Sequence, residues 1–155
     1  MDRGSHDIRT ARAEIHVPPT LIAPERVTGS NLEVLRRLYD ALGAGDLVGA
    51  LDLLSDDVRA HVPGESPVAG DYNGKDAVAG YLGTLIELSG GTLRFEPHDV
   101  AVSEGHGVGL VKDLAERGER SLAMNNVHVW HVRDDALTEI WVYPGDVRAW
   151  DTFWS

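Results

Sequence analysis

The sequence predicts an α+β domain in which helices lie across a curved antiparallel sheet, and three features carry that expectation. Apolar residues recur at helical spacing in three successive segments, the period changes to two from Thr92 onward, and the alternation slips once near Pro97-His98. Helices segregated from an antiparallel sheet make this class of fold. A sheet that carries a bulge curls, and helices across its concave side enclose a conical cavity.

Residues 1–29, MDRGSHDIRTARAEIHVPPTLIAPERVTG, mix charge with three prolines and hold no sustained period, so they read as a flexible leader ahead of a domain spanning 30–155. Within the leader, Ile15-His16-Val17 is short and apolar enough to add to a sheet edge. Ser30-Asn31-Leu32-Glu33 fits a capping box, in which Ser30 and Glu33 satisfy each other's free backbone amides. Leu35, Leu38, Tyr39 and Leu42 then form one helical stripe, ended by Gly43 and Gly45. Asp46 is placed to cap a second helix with Leu47, Ala50, Leu51 and Leu54 on its apolar side.

Val58 to Val62 reads as a short strand stopped by Pro63-Gly64, and GESPVAGDYN as a loop of turn formers. Asn73 is placed to cap a third helix, with Val78, Tyr81, Leu82 and Leu85 as its stripe and Gly90-Gly91 as its end. Leu93 and Phe95 alternate with Arg94 and Glu96, then Val100 and Val102 resume in the other phase, which predicts a β-bulge at Pro97-His98. Turns at 104–107, 116–119 and Asp134-Asp135 separate strands around Val108–Ala115, Ser121–Val132 and Leu137–Tyr143. Trp150, Phe153 and Trp154 predict a closing helical turn that packs on the body of the domain.

Composition narrows the function. The 155 residues carry 25 acidic against 14 basic side chains, a formal charge of −11, with no Lys/Arg cluster of the kind that binds nucleic acid or an acidic membrane. No cysteine is present, which excludes disulfides, thiolate metal sites and a cysteine nucleophile. No signal core or stretch of transmembrane length is visible, so the cytoplasm is the expected location.

The long strand from Ser121 to Val132 bears on a pocket. Its even positions are Leu122, Met124, Asn126, His128, Trp130 and Val132, an apolar face broken only by Asn126 and His128. Two polar neighbours on such a face require local partners, water or a ligand. They read either as a satisfied core pair, or the outside of a subunit interface, or as the polar part of a binding pocket. His128 and His131 have the spacing of an H-x-x-H metal pair, but a strand sends them to opposite faces, so no metal site is expected. The glycine-rich run from Gly105 to Gly109 lacks a following helix and so does not read as a phosphate cradle. Asp71 and Asp113 read as surface acids, with a cavity acid/base role as the alternative. Glu139 and Trp141 share a face opposite Ile140 and Val142 and suit interface packing.

The stretches NLEVLRRLYDALGAGDLVGALDLLSDDVRAHVPGESPVAGDYNGKDAVAGYL and VHVWHVRDDALTEIWVYPGD resemble the SnoaL-like group of the nuclear transport factor 2 (NTF2-like) superfamily, which also holds ketosteroid isomerases, epoxide hydrolases and dehydratases. The resemblance covers about residues 30–155 and implies a cone-shaped barrel in which the sheet wraps around three N-terminal helices. It also implies a homodimer, consistent with Val127, Val129 and Trp141 on the back of the sheet. His61 stands where the isomerases place their general base, and His128 where they place the acid that donates to the oxyanion. Leu38 stands at the position of their helix phenol, with Tyr39 adjacent, and Val142 at the last-strand aspartate of the cyclases. The implied activity is a cofactor-independent isomerase, cyclase or dehydratase acting on a small hydrophobic carbonyl compound, polyketide- or terpenoid-like. In it His61 and His128 are the catalytic residues, and Tyr39, Tyr81, Asn126, Trp130 and Val142 contact the substrate. A non-catalytic protein that sequesters such a ligand is the alternative, and a protein whose dimer interface is its purpose is a third.

Overall fold

The structure is a computed structural model and describes residues 29–155, so the leader expected over 1–29, with its Ile15-His16-Val17 segment, lies outside the described residues except for Gly29. The elements run α1 (Gly29–Gly43), α2 (Leu47–Asp52), β1 (Leu54–Val62), β2 (Gly70–Asn73), α3 (Lys75–Leu88), β3 (Arg94–Val102), β4 (His106–Arg117), β5 (Arg120–Arg133), β6 (Ala136–Pro144) and α4 (Val147–Trp154). The six strands form one open sheet in the order β2-β1-β6-β5-β4-β3. Strands β3 to β6 are the expected antiparallel meander. The sheet as a whole is mixed, which corrects the expectation of an antiparallel one: β1 runs parallel to β6, with His61 beside Trp141.

The helices pack as their stripes dictate. Val34, Leu35, Leu38 and Tyr39 of α1 are buried, as are Val78, Tyr81 and Leu85 of α3. The α2 cap is as expected, with Asp46 accepting from the Gly49 amide at 2.9 Å. This second helix is a short one, because Leu54, assigned to its stripe from spacing, begins β1 instead.

Two other expected caps are absent for identifiable reasons. Helix α1 already includes Ser30, whose hydroxyl donates to Asp135 at 2.6 Å instead of closing a capping box with Glu33. Asn73 ends β2, and Gly74 is the N-cap of α3 with no side-chain bond. Strand β2 occupies the tail of what reads as a loop. Its four residues pair with β1 at the sheet edge and alternate too briefly to register as a period.

The bulge falls where the alternation slips. The β3–β4 register shifts between Pro97 and Asp99, leaving His98 as the additional residue. Asp134 and Asp135 turn β5 into β6 with φ of 51° and 60°, the left-handed pair that a two-residue hairpin turn requires. Helix α4 is capped by Asp146, which accepts from the Arg148 and Ala149 amides, and it buries Trp150, Phe153 and Trp154. The glycine-rich run has a packing role: Gly107 and Gly109 lie in β4, and a Cβ there would overlap Leu35 and the Tyr39 hydroxyl of α1. Their bare backbone lets the helix lie against the strand. No helix among the described residues is long and apolar enough to cross a membrane.

Candidate functional site

The concave side of the sheet and the helices enclose a cavity of about 60 Å³. Its walls are mostly aliphatic, with Leu38 of α1, Leu85 of α3 and Ile140 and Val142 of β6 among them. Five of the lining residues carry a polar side-chain atom: Tyr81, Asp113, His128, Trp130 and Trp150.

Strand alternation decides which polar residues arrive there. All six even positions of β5 from Leu122 to Val132 are buried, as their apolar face predicts. That face puts His128 in the cavity wall. The Trp130 indole Nε1 donates to the Tyr39 hydroxyl oxygen at 3.1 Å, and that hydroxyl lies 3.2 Å from His128 Nδ1. An indole N–H can only donate, so the phenol proton is left for Nδ1, and His128 carries its own proton on Nε2. Burial pushes the His128 imidazolium down to a pKa of about 4, so the ring is neutral near pH 7. Burial likewise raises the Tyr39 phenol well above its ordinary range, so it stays protonated. The neutral Nε2–H of this cavity-lining ring is engaged by no hydrogen bond among the described residues.

Asp113 of β4 is the acid that a surface reading misplaces. It is 1% exposed and lines the same cavity. Asn126 Nδ2 donates to its Oδ2 at 2.7 Å, while Oδ1 has no hydrogen-bond partner among the described residues. Burial raises its pKa to about 7, against the opposing pull of the Asn126 bond. Asn126 is held in turn by the Gly145 amide, which donates to its Oδ1 at 3.2 Å. The Trp150 indole N–H, on the helix that closes the domain, is also buried without a partner among the described residues. An unpaired buried polar group costs about 1–3 kcal/mol, and Asp113 and Trp150 are the two residues of this cavity wall that carry one among the described residues.

His61 is not in the cavity. Val58, Ala60 and Val62 are the buried positions of β1, which turns His61 to the outer face of the sheet. There its Nε2 meets Glu139 Oε1 at 2.8 Å, its Nδ1 meets Asp71 Oδ1 at 2.7 Å, and its ring stacks on Trp141. The Glu139 hydrogen bond raises the His61 pKa, with help from Asp71 and against a smaller effect of burial. Burial opposes ionisation of Glu139, but His61, Arg59 and His131 outweigh it and hold the carboxylate below its ordinary range. The expected pairing of His61 with His128 across one pocket is thus corrected: the sheet lies between them.

The remaining expected contacts divide. Tyr81, Trp130 and Val142 line the cavity. Tyr39 and Asn126 do not. Each stands behind a lining residue and bonds to it, Tyr39 to His128 and Asn126 to Asp113. Leu38 presents its side chain to the cavity where the resemblance implies a phenol. His128 and His131 do face opposite ways, and among the described residues no group of three or more His, Asp or Glu is placed to hold a metal ion.

The family model described as the SnoaL-like domain matches residues 35–140 of this chain. The uncharacterised protein Rv0034 of Mycobacterium tuberculosis is 26% identical over 127 residues, 81% of this chain and 97% of that protein. Bal32a, from a soil-derived mobile gene cassette, matches with a TM-score of 0.78 and 29% identity over 81% of this chain and 97% of its own. TerC, co-crystallised with polyporic acid, shares the fold with a TM-score of 0.72 and 19% identity, covering 81% of this chain and 98% of that one.

Proposed function

We propose that this chain, which belongs to the SnoaL-like domain family of the NTF2-like superfamily, binds a small, mainly apolar carbonyl compound in its cavity and moves a proton on the carbon beside the carbonyl. The observation that carries this reading is the pairing of a buried carboxyl poised near neutrality, Asp113, with a neutral N–H donor, His128, in one apolar enclosure. The Asp113 carboxylate takes the proton, the C–H electron pair becomes the C=C bond of an enolate, and the carbonyl π pair moves to oxygen. His128 Nε2–H donates a hydrogen bond to that oxygen. The Asp113 carboxylic acid then returns the proton to the same carbon or to a conjugated one, so that nothing is consumed and no cofactor is called on. TerC, co-crystallised with polyporic acid, supports the idea that this fold accepts a small organic molecule.

The test uses 2-tetralone in heavy water, with α-proton exchange followed by NMR. Exchange by the native protein is expected to exceed the protein-free rate and to increase as pH rises through about 7, where Asp113 becomes a carboxylate. Asp113→Asn is expected to lower the rate by about 100-fold or more, and His128→Phe by a similar factor. Equal rates for the native protein and Asp113→Asn would sink the proposal.

One observation favours a second reading. Val142 lines the cavity at the position where the resemblance places a cyclase acid, and sequestration of an unaltered ligand needs no such group. Binding of 2-tetralone without accelerated exchange supports that alternative.

The outer face of the sheet suits pairing with a second copy. Val127, Val129 and Trp141 are half-buried there, and Tyr143 is 53% exposed. Sedimentation equilibrium is expected to give a dimer, and a monomer at high concentration would overturn this.

A further inference from the structure

The 60 Å³ cavity is small for the ligand it is proposed to bind, since a benzene-sized guest occupies a cavity of about 150 Å³. A second space of about 200 Å³ adjoins it, between the α1–α2 corner, the end of α3 and the start of β3. Leu42, Leu82 and Phe95 line both spaces and so form the partition between them. All three are only half-buried, in contrast to the fully packed Leu35 and Leu85 nearby.

Among the described residues, one cation lines the outer space. The Arg94 guanidinium is fixed at its rim, where Nη1 donates to the Gly91 and Leu93 carbonyls at 3.0 and 2.7 Å. It forms no ion pair among the described residues, in a chain whose formal charge is −11. Its other N–H groups remain for an anion, and a guanidinium anchored in this way loses little freedom on binding one. Phe95 lies opposite Asp113 on the inner face of the sheet; Arg94, opposite Leu114, leaves the strand on the other face, and its guanidinium reaches the rim of the outer space at the strand end.

We propose that the ligand of this cavity is an apolar keto acid that spans both spaces. Its ring-sized body passes the partition of Leu42, Leu82 and Phe95 to reach Asp113 and His128, and its carboxylate stays at Arg94. This rests on the inner cavity being the ligand site and adds the class of molecule and the path it takes.

Isothermal titration calorimetry of the full chain at low ionic strength, with 4-phenylbutyrate and 4-phenylbutan-1-ol, tests it. The carboxylate is expected to bind about fivefold tighter than the alcohol, the scale of one partly solvated ion pair. Arg94→Gln is expected to bring the two within about twofold of each other by weakening the carboxylate alone. Leu82→Trp, which fills the partition, is expected to weaken both by about tenfold, with circular dichroism confirming that the variant is folded. If the alcohol does not bind at all, the inner cavity fails as a ligand site, and this inference with it. If the alcohol binds but the carboxylate gains nothing, or its gain survives Arg94→Gln, the keto-acid assignment alone is overturned. If Leu82→Trp is folded and leaves both affinities unchanged, the path through the partition is overturned.

Discussion

Asp113→Asn is expected to make the protein more stable at pH 8 by on the order of 4 kcal/mol, while leaving its stability at pH 4 nearly unchanged. The carboxyl titrates near its ordinary value of 3.8 in the unfolded chain and at about 7 in the folded one. Between those values the folded state holds a proton that the unfolded state has released. Stability from this group is therefore complete below about pH 4 and is lost as pH rises toward 7, at about 1.36 kcal/mol for each pH unit crossed. Asparagine has no charge to bury and still offers an oxygen to Asn126.

His128 acts with the opposite sign, because its folded value of about 4 lies below the ordinary 6.5. The unfolded chain binds the extra proton there, so stability from His128 is complete above about pH 6.5 and is lost as pH falls toward 4. Over about pH 4 to 6.5 the two slopes cancel in the native protein. Asp113→Asn exposes the His128 slope, and stability of that variant rises with pH in this window. Chemical denaturation at half-unit intervals from about pH 4.5 to 8 reads the difference directly. A difference that does not grow with pH would show that Asp113 is not held protonated. The same variant is expected to lose proton transfer, so one substitution separates the requirement of the chemistry from that of the fold.

Gly109→Ala is expected to destabilise the domain by on the order of 2–6 kcal/mol, although the backbone at this position suits any residue. The new methyl group would occupy the place of the Tyr39 hydroxyl. Overpacking of a closed core costs about 1–3 kcal/mol, and displacing the phenol strands His128 Nδ1 and Trp130 Nε1 at a further 1–3 kcal/mol or so. Tyr39→Phe removes the obstructing oxygen along with the hydrogen bonds, so the two substitutions share one cause. The double variant is expected to cost about 1 kcal/mol or more less than the sum of the singles in urea unfolding. Additive effects would mean that Gly109 serves the strand alone and not the seat of the phenol.

Much of this fold is legible in the chain itself, and the departures have specific origins. The stripes of α1 and α3, the Asp46 cap, the bulge and the inward face of β5 all follow from local sequence signals, which do not depend on what packs against them. The parallel β1–β6 contact joins residues far apart in sequence and leaves no local trace. His61 is misplaced when a family position outweighs the phase of its own strand, since Val58, Ala60 and Val62 already assign the even positions inward and the odd ones outward. Asp113 is undervalued as a surface acid, although it stands in its strand as His128 does in β5: Val111 and Ala115 flank it on one apolar face of β4. What no reading of the chain supplies is the partnership. The links from the Gly145 amide through Asn126 to Asp113, and from Trp130 through Tyr39 to His128, exist only once separate elements meet.

The parallel seam also imposes an order of events on folding. Strands β3 to β6 pair with immediate sequence neighbours, whereas Arg59 reaches its partner Glu139 across a separation of 80 residues. Closing so long a loop gains nothing until both edges exist, so the hairpins are expected to form early and the seam late. A ribosome adding roughly 5–20 residues per second takes several seconds to supply that stretch, and through this interval β1 has no β6 to join. Nascent chains can pair β1 with β2 and cover it with α3, which follow it directly, but the edge of β1 that β6 will occupy stays open until the last strand is made.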